Sequence, residues 1–334
     1  MKQSEELRAA IVGFGSIGRR HAENLKKLGV GRLVVVRRPS GRNPAFTPPE
    51  GACVVASHAE AIAEGLDFVV ICNPTRFHVD SAWPYLAAGI PILMEKPISD
   101  RSTDARQLAE EASRRGLPAC MAYCMRYHPA YAAAHEALRA DAIGRVLYAK
   151  AWFESYLPAW HPWEDYRQSY AARKDLGGGA LRTLDHEIDF LNWCLGTPQA
   201  VVGSGGRSGA LDGDADDHAA LLIRYPGGAV ATVQLSLCRR DRSRGFEFVG
   251  EQGTLRYRWE EEKLLVVGAD GKDVSVLLDH RGYDLNQMYV DLLADFMGTL
   301  AGGPSGASAD LQAGHRAIEV CCQAESHSFC VNQV

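Results

Sequence analysis

The sequence lacks most features that mark a secreted, membrane-spanning or metal-clustered protein. Its nine cysteines include no Cys-x-x-Cys pair and no cysteine and histidine grouping at zinc spacing, and an odd number in 334 residues makes a poor disulfide framework. Cys72, Cys120 and Cys194 sit in apolar runs and read as small core hydrophobes. No uninterrupted apolar run approaches the roughly 18 residues of a membrane helix. The first ten residues, MKQSEELRAA, hold no apolar segment of the kind a secretory signal carries. Excess charge is also scarce: 36 Lys and Arg against 41 Asp and Glu leave a net −5, with no electrostatic pull toward nucleic acid or an anionic membrane. These absences give the expectation of a cytoplasmic protein that handles small molecules and carries no metal.

What is present is a globular composition, 46% hydrophobic and 23% charged, over a length that suits two domains. The first third alternates short apolar runs with helical patterns. Ala9 to Val12 leads into glycines and a helix ending at Gly29; Leu33 to Val36, Cys53 to Ala56, Asp67 to Cys72, Ile90 to Met94 and Ala119 to Tyr123 read as further strands. Ser57 and Glu60 have capping-box spacing, and Pro84 lies inside a helix expected over about 75–88. Strands apolar on both faces, alternating with helices, imply a doubly wound parallel sheet. Beyond a boundary at 123, one helix is expected over 180–195, strands dominate from about 200 to 278 around the turn Pro226-Gly227-Gly228, and two helices, about 284–300 and 310–326, close the chain. The reading is therefore α/β over 1–123 followed by α+β, with a mostly antiparallel sheet, over 124–334.

Four stretches of the first domain converge on one chemistry. In Gly13-Phe14-Gly15-Ser16-Ile17-Gly18 the glycines let the chain turn from strand to helix and let the backbone approach a pyrophosphate at a helix N-terminus. The motif follows the first strand and opens the first helix, the context dinucleotide binding requires. An NAD site usually places an acid about 20 residues on, at the end of the second strand. Here no Asp or Glu occurs between Glu23 and Glu50, while Arg37, Arg38 and Ser40 stand at that strand end. Guanidinium groups suit a 2′-phosphate, so NADP(H) is favoured with NAD(H) as the alternative. Cys72-Asn73-Pro74-Thr75, with His78 beyond, closes the third apolar strand, Thr75 being placed to cap the helix. Glu95, Lys96 and Pro97 close the next strand and face the same crevice.

Together GFGSIG, CNPTRFH, EKPIS and GGGALRTLDHEID resemble the glucose-fructose oxidoreductase, inositol dehydrogenase and MocA-like family, Gfo/Idh/MocA for short. The resemblance covers essentially the whole chain. It implies a Rossmann domain followed by a domain with a large open sheet, and hydride transfer between a sugar, cyclitol or related carbinol carbon and NAD or NADP. It further implies Lys96 and His186 as the catalytic pair and a homodimer or homotetramer. The fold also hosts NAD-dependent glycosidases and cofactor-sensing regulators, which are the alternative functions. The residues themselves put His186 opposite the stripe Leu181, Leu184, Ile188, Leu191 and Leu195 of an unbroken helix, in line with Arg182 and Asp189. Many relatives carry an Asp three or four residues before the histidine; here Thr183 and Arg182 stand there, leaving Asp185 or Asp189 to assist. Arg182, Thr183 and Asp185 are expected on the substrate side, with Trp160 and His161 of an aromatic loop and Arg126 as a group for an anion or an interdomain ion pair. Tyr170 and Lys174 match the Tyr-x-x-x-Lys of short-chain dehydrogenases, but the glycine spacing at 13–18 does not.

Overall fold

A computed structural model describes residues 4–37, 47–303 and 306–326. The chain divides into two compact units, one of Met1–Tyr127 with Leu285–His315, the other of His128–Asp284 with the stretch from Arg316.

The first unit is built on a seven-stranded sheet. Its strands are β1 (Arg8–Val12), β2 (Arg32–Val36), β3 (Cys53–Val55), β4 (Phe68–Ile71), β5 (Ile92–Met94) and β6 (Ala119–Met121), with the short strand Ala309–Asp310 at one edge. The order is 309–310, β6, β5, β4, β1, β2, β3, parallel throughout except for the edge pair. The order reverses between β1 and β4, where a crevice opens beyond the carboxyl ends of the strands. Burial explains the composition. Ala9, Ala10 and Ile11 and all of Phe68 to Ile71 are fully enclosed, so these strands are apolar on both faces. Helix α1 (Ser16–Lys27) returns from β1, α2 (His58–Ala63) is opened by the expected box, with Ser57 Oγ accepting from the Glu60 amide, and α3 (His78–Ala87) and α4 (Ser102–Arg115) cover the sheet.

Two expectations are corrected here. Thr75 does not cap a helix: Thr75–Phe77 form a short 3-10 turn, Thr75 is buried, and α3 begins only at His78 without a side-chain cap. The helix Gln287–Leu300, placed by sequence in the second domain, belongs to the first unit. Leu292, Leu293 and Phe296 join the core of Leu25, Phe68 and Val70, with Phe296 edge-on to Phe68 at 5.6 Å. The first unit is therefore discontinuous in sequence, and its opening segment runs to Tyr127 rather than to 123.

The second unit carries an eight-stranded sheet: β7 (Val146–Tyr156), β8 (Ala200–Gly206), β9 (His218–Arg224), β10 (Val230–Ser236), β11 (Cys238–Gly250), β12 (Gly253–Arg258), β13 (Lys263–Gly268) and β14 (Val274–Asp279). The order is β14, β13, β12, β11, β7, β10, β9, β8, antiparallel except for β7 with β10. Burial alternates along β9, with Ala219, Leu221 and Ile223 inside and Leu222 outside, the pattern of a sheet covered on one face. Helices α5 (Pro129–Arg139), α6 (Ala180–Thr183) and α7 (His186–Leu195) supply that cover. Tyr131, Phe190, Phe246 and Phe248 form its aromatic core, with Tyr131 to Phe190 at 4.5 Å and Phe190 to Phe246 at 4.8 Å. The single helix expected over 180–195 is instead two. Leu184 leaves the helical region at φ −107°, ψ 27°, which resets the rotation between Leu181 and Ile188.

Candidate functional site

In the first unit the glycines meet three different demands. Gly13 sits at φ +88°, and a Cβ there would lie 2.6 Å from both N and Cα of Asn73, so the β1 and β4 ends approach too closely for a side chain. A Cβ on Gly18 would lie 2.3 Å from Gly13 O. Gly15, which caps α1, has nothing within 4 Å of its would-be Cβ, and Gly15 and Ser16 are exposed. The first turn of α1 holds no acid. An open glycine at an acid-free helix N-terminus fits a pyrophosphate, which needs close backbone approach and tolerates no competing carboxylate.

The neighbouring strand ends are tied together by buried polar contacts. His78 Nε2 lies 2.6 Å from Asn73 O and Nδ1 lies 2.7 Å from Pro97 O. Both oxygens are acceptors, so both contacts are hydrogen bonds only for the imidazolium. Burial works against that charge and lowers the His78 pKa, while the two carbonyls and Glu95 oppose the shift. Asn73 Nδ2 donates to Ser81 Oγ at 2.8 Å. Glu95 is buried, its Oε1 2.7 Å from Nε2 of the fully enclosed His21 and its Oε2 accepting from the Lys96 amide at 3.2 Å. The carboxylate thus joins α1, the glycine-turn helix, to the backbone that presents Lys96. Strand β5 stops at Met94, the Lys96–Pro97 peptide is cis, and Lys96 is half-buried.

Cys72, the buried Phe14 and the partly buried Ile17 lie in the same unit, Cys72 donating its amide to Val12 O at 2.7 Å. Arg37 donates its amide to Val55 O and is half-buried; Arg38 and Ser40 lie outside the described residues. Arg126 belongs to this unit too, buried with its guanidinium carbon 5.9 Å from the Tyr123 ring centroid. His21 was not singled out as a polar site residue. It occupies a helical position otherwise filled by core groups, and only a spatially adjacent acid explains its burial.

In the second unit His186 is the first residue of α7 and half-buried. The unbroken polar face expected opposite the leucine stripe is not found: Asp185 and Asp189 are 1% and 2% exposed, and Arg182 makes a two-pronged pair with Glu325 at 2.5 and 2.8 Å. Thr183 is buried as well. Next to His186, Glu187 pairs in the interior with Arg244 of β11, Nε to Oε1 2.7 Å, at 1% and 5% side-chain exposure. That pair was missed, since strand position 244 carries no sign in sequence of its acidic partner. Trp160 stacks on Phe153 at 6.5 Å and 8° and donates its indole N–H to Ser155 Oγ at 3.0 Å; His161 packs on the exposed Trp163 at 5.3 Å. Among the described residues no group of three or more His, Cys, Asp or Glu is arranged to hold a metal ion, and no helix is long and apolar enough to cross a membrane.

Comparison with known proteins adds two family matches. Residues 7–123 match the oxidoreductase family with an NAD-binding Rossmann fold, and residues 131–256 match the GFO/IDH/MocA C-terminal domain. The inositol 2-dehydrogenase of Leifsonia xyli subsp. xyli is 26% identical over 91% of this chain and 89% of its own length. A levoglucosan dehydrogenase in complex with NADH superposes with a TM-score of 0.82 at 20% identity, over 96% of this chain and 98% of that one. The UDP-N-acetylglucosamine 3-dehydrogenase of Acidithiobacillus ferrooxidans does so with a TM-score of 0.78 at 20% identity, over 98% and 99%. At such identities the two structures speak for the fold.

Proposed function

The chain belongs to the Gfo/Idh/MocA family of oxidoreductases, and from that premise we propose that it oxidises or reduces a secondary carbinol carbon of a sugar, cyclitol or sugar derivative. It is an NAD(P)-dependent oxidoreductase of CH–OH groups, and its N-terminal domain is an NAD-binding Rossmann domain. The observation that carries the reading is the open Gly15 at the acid-free start of α1, linked through His21 and Glu95 to the backbone of Lys96.

Lys96 is assigned a hydrogen bond from its ammonium to the carbinol oxygen, stabilising negative charge as that oxygen loses its proton. His186 is assigned the role of proton acceptor in oxidation and donor in reduction, for which an imidazole is suited near neutral pH. The nicotinamide, when bound, supplies the two-electron redox chemistry. Gly13 to Gly18 and the strand ends at Cys72 to Thr75 and Glu95 to Pro97 are assigned to hold the dinucleotide, with His78 fixing Asn73 and Pro97 in place. Trp160, His161, Arg126, Thr183 and Asp185 remain the proposed substrate side; Arg182, engaged by Glu325, is better assigned to holding α6.

Within this reading NADP(H) is preferred over NAD(H), because Arg37 closes a strand whose sequence neighbourhood holds no acid from Asn24 to Pro49. A homodimer or homotetramer through the uncovered sheet face is supported by Tyr148, Val202 and Leu222, apolar and exposed there. The test is a panel of cyclitols, sugars, sugar acids and nucleotide sugars scored by nicotinamide reduction with each cofactor. Turnover of at least one polyol is expected, and Arg37→Asp should reverse the cofactor preference. Equal affinity for NADP(H) and NAD(H) in the unaltered protein would remove the phosphate argument.

A further inference from the structure

Strand β11 loses register with β7 between Cys238, opposite Tyr156, and Ser243, opposite Glu154, so Arg239 to Arg242 bulge out of the ladder. Bulges of this kind re-aim side chains and are frequent beside active sites. This one carries three arginines, and a fourth, Arg244, follows in the strand. Arg239 is engaged locally, by Glu154 Oε2 at 2.6 Å and Asp241 Oδ2 at 2.9 Å. Arg244 is buried on Glu187.

Arg240 and Arg242 make no ion pair among the described residues, and both are held by rings instead. Arg240 Cζ lies 4.4 Å from the Tyr156 centroid; Arg242 Cζ lies 4.7 Å from Trp259 and 5.3 Å from Phe153. Arg244 Cζ packs on the same two rings, 4.6 Å from Phe153 and 5.7 Å from Trp259. Two guanidinium groups therefore share one aromatic seat, and the carboxylate beside them, Glu187, is ion-paired with the inner one and acts on Arg242 only through its field. Desolvation and the Arg244 charge both disfavour the Arg242 cation, yet the Arg242 side chain remains exposed. Ring contact of this kind leaves the N–H groups of an exposed guanidinium free of carboxylate and able to donate to a planar or tetrahedral oxyanion. Glu187 adjoins His186 in α7, which ties this basic seat to the helix assigned the proton transfer.

We propose that Arg242, supported by Arg240, forms an anion subsite in the second unit, and that the substrate is an acidic sugar or cyclitol derivative bearing a carboxylate or a phosphate. The substrate class rests on the oxidoreductase reading above; the anion subsite does not. The anion neutralises the outer guanidinium and draws its selectivity from charge, with the rings setting the approach.

Calorimetric binding of glucose, glucuronate and glucose 6-phosphate to the full-length protein loaded with NAD tests it, alongside nicotinamide reduction with the same three. Glucuronate or glucose 6-phosphate should bind about tenfold or more tightly than glucose, the better of the two naming the anion. Arg242→Gln should collapse that ratio toward one, Arg242→Lys should restore part of it, and Arg240→Gln should lower it by less. A wild-type protein blind to charge, or an anion preference that survives Arg242→Gln, overturns the proposal. Anion-selective binding with no nicotinamide reduction on the full substrate panel overturns the oxidoreductase reading and leaves the subsite standing. Reduction by neutral sugars with charge-blind binding does the reverse.

Discussion

Each unit places a buried acid beside its motif-bearing residue, and the two acids are held in unlike ways. In the first, Glu95 contacts His21 and accepts from the Lys96 amide, so its partners are an imidazole that can be neutral and a backbone N–H. In the second, Glu187 neighbours His186 and faces the permanent charge of Arg244, with both groups almost fully enclosed. The first arrangement fixes backbone position, while the second exists chiefly to neutralise a cation that folding has trapped. A neutral amide can imitate the first and not the second.

The largest effect expected from this contrast is on stability. Glu187→Gln strands Arg244 in the interior and should cost about 3–5 kcal/mol in chemical denaturation, whereas Glu95→Gln can accept from the Lys96 amide with its oxygen and donate to a neutral His21 Nε2 with its amide, and should cost about 1 kcal/mol. Equal losses would break the comparison. Next comes Lys96→Ala, expected to lower kcat by about 10² to 10³, the range seen when one donor to a developing oxyanion is removed. NAD(H) affinity measured by fluorescence titration should stay within a few-fold; normal turnover would remove Lys96 from the chemistry. A double variant with His186→Ala should lose much less than the product of the single losses if both act on one step.

Smaller effects separate fold from ligand within the glycine turn. Gly13→Ala meets Asn73 backbone at a left-handed φ and should destabilise by about 1–3 kcal/mol. Gly15→Ala meets nothing in the chain and should leave stability within about 0.5 kcal/mol while weakening NAD(H) binding. A stable Gly15→Ala that binds normally would sink the pyrophosphate assignment. A further effect, absent near neutral pH and growing only on acidification, is acid sensitivity of the second unit. His128 is fully enclosed by Tyr131, Tyr257, Trp259, His280 and Tyr283, and burial, then the positive charges of His280 and Arg244, push it down to about 3. The unfolded chain takes up a proton near its ordinary value of 6.5, which the native state refuses. This stabilisation is complete above that pH and declines as pH falls toward about 3, by at most about 1.4 kcal/mol per pH unit. His128→Phe should flatten that slope in urea titrations at stepped pH.

Much of the first unit was legible because its motifs act through the backbone. Glycine spacing and strand-end prolines encode geometry locally, and the alternation of fully apolar strands with helices encodes the parallel sheet. The second unit encodes its site through distant side chains. A helical wheel drawn through Leu184 put Arg182, His186 and Asp189 on one face opposite the leucine stripe, but the break at that residue resets the phase, and Glu325 takes up Arg182 from far along the chain. Nothing near His21 or Arg244 in sequence announces the acid each one meets, Glu95 and Glu187. Amphipathic periodicity likewise announced a helix near 284–300 without naming the core it completes.

The return of Leu285–His315 to the first unit has a consequence for how the protein is made. A ribosome that has finished Tyr127 has synthesised every parallel strand and the whole glycine turn, yet Leu292, Leu293 and Phe296 are still to be made. Until they are made the cofactor unit lacks part of its apolar core, whereas every strand of the second unit's sheet, from Val146 to Asp279, already precedes them in the chain. A fragment ending at Tyr127 lacks the apolar plug that its core is shaped around. Any minimal dinucleotide-binding version of this protein must splice the helix Gln287–Leu300 and the edge strand Ala309–Asp310 back onto it.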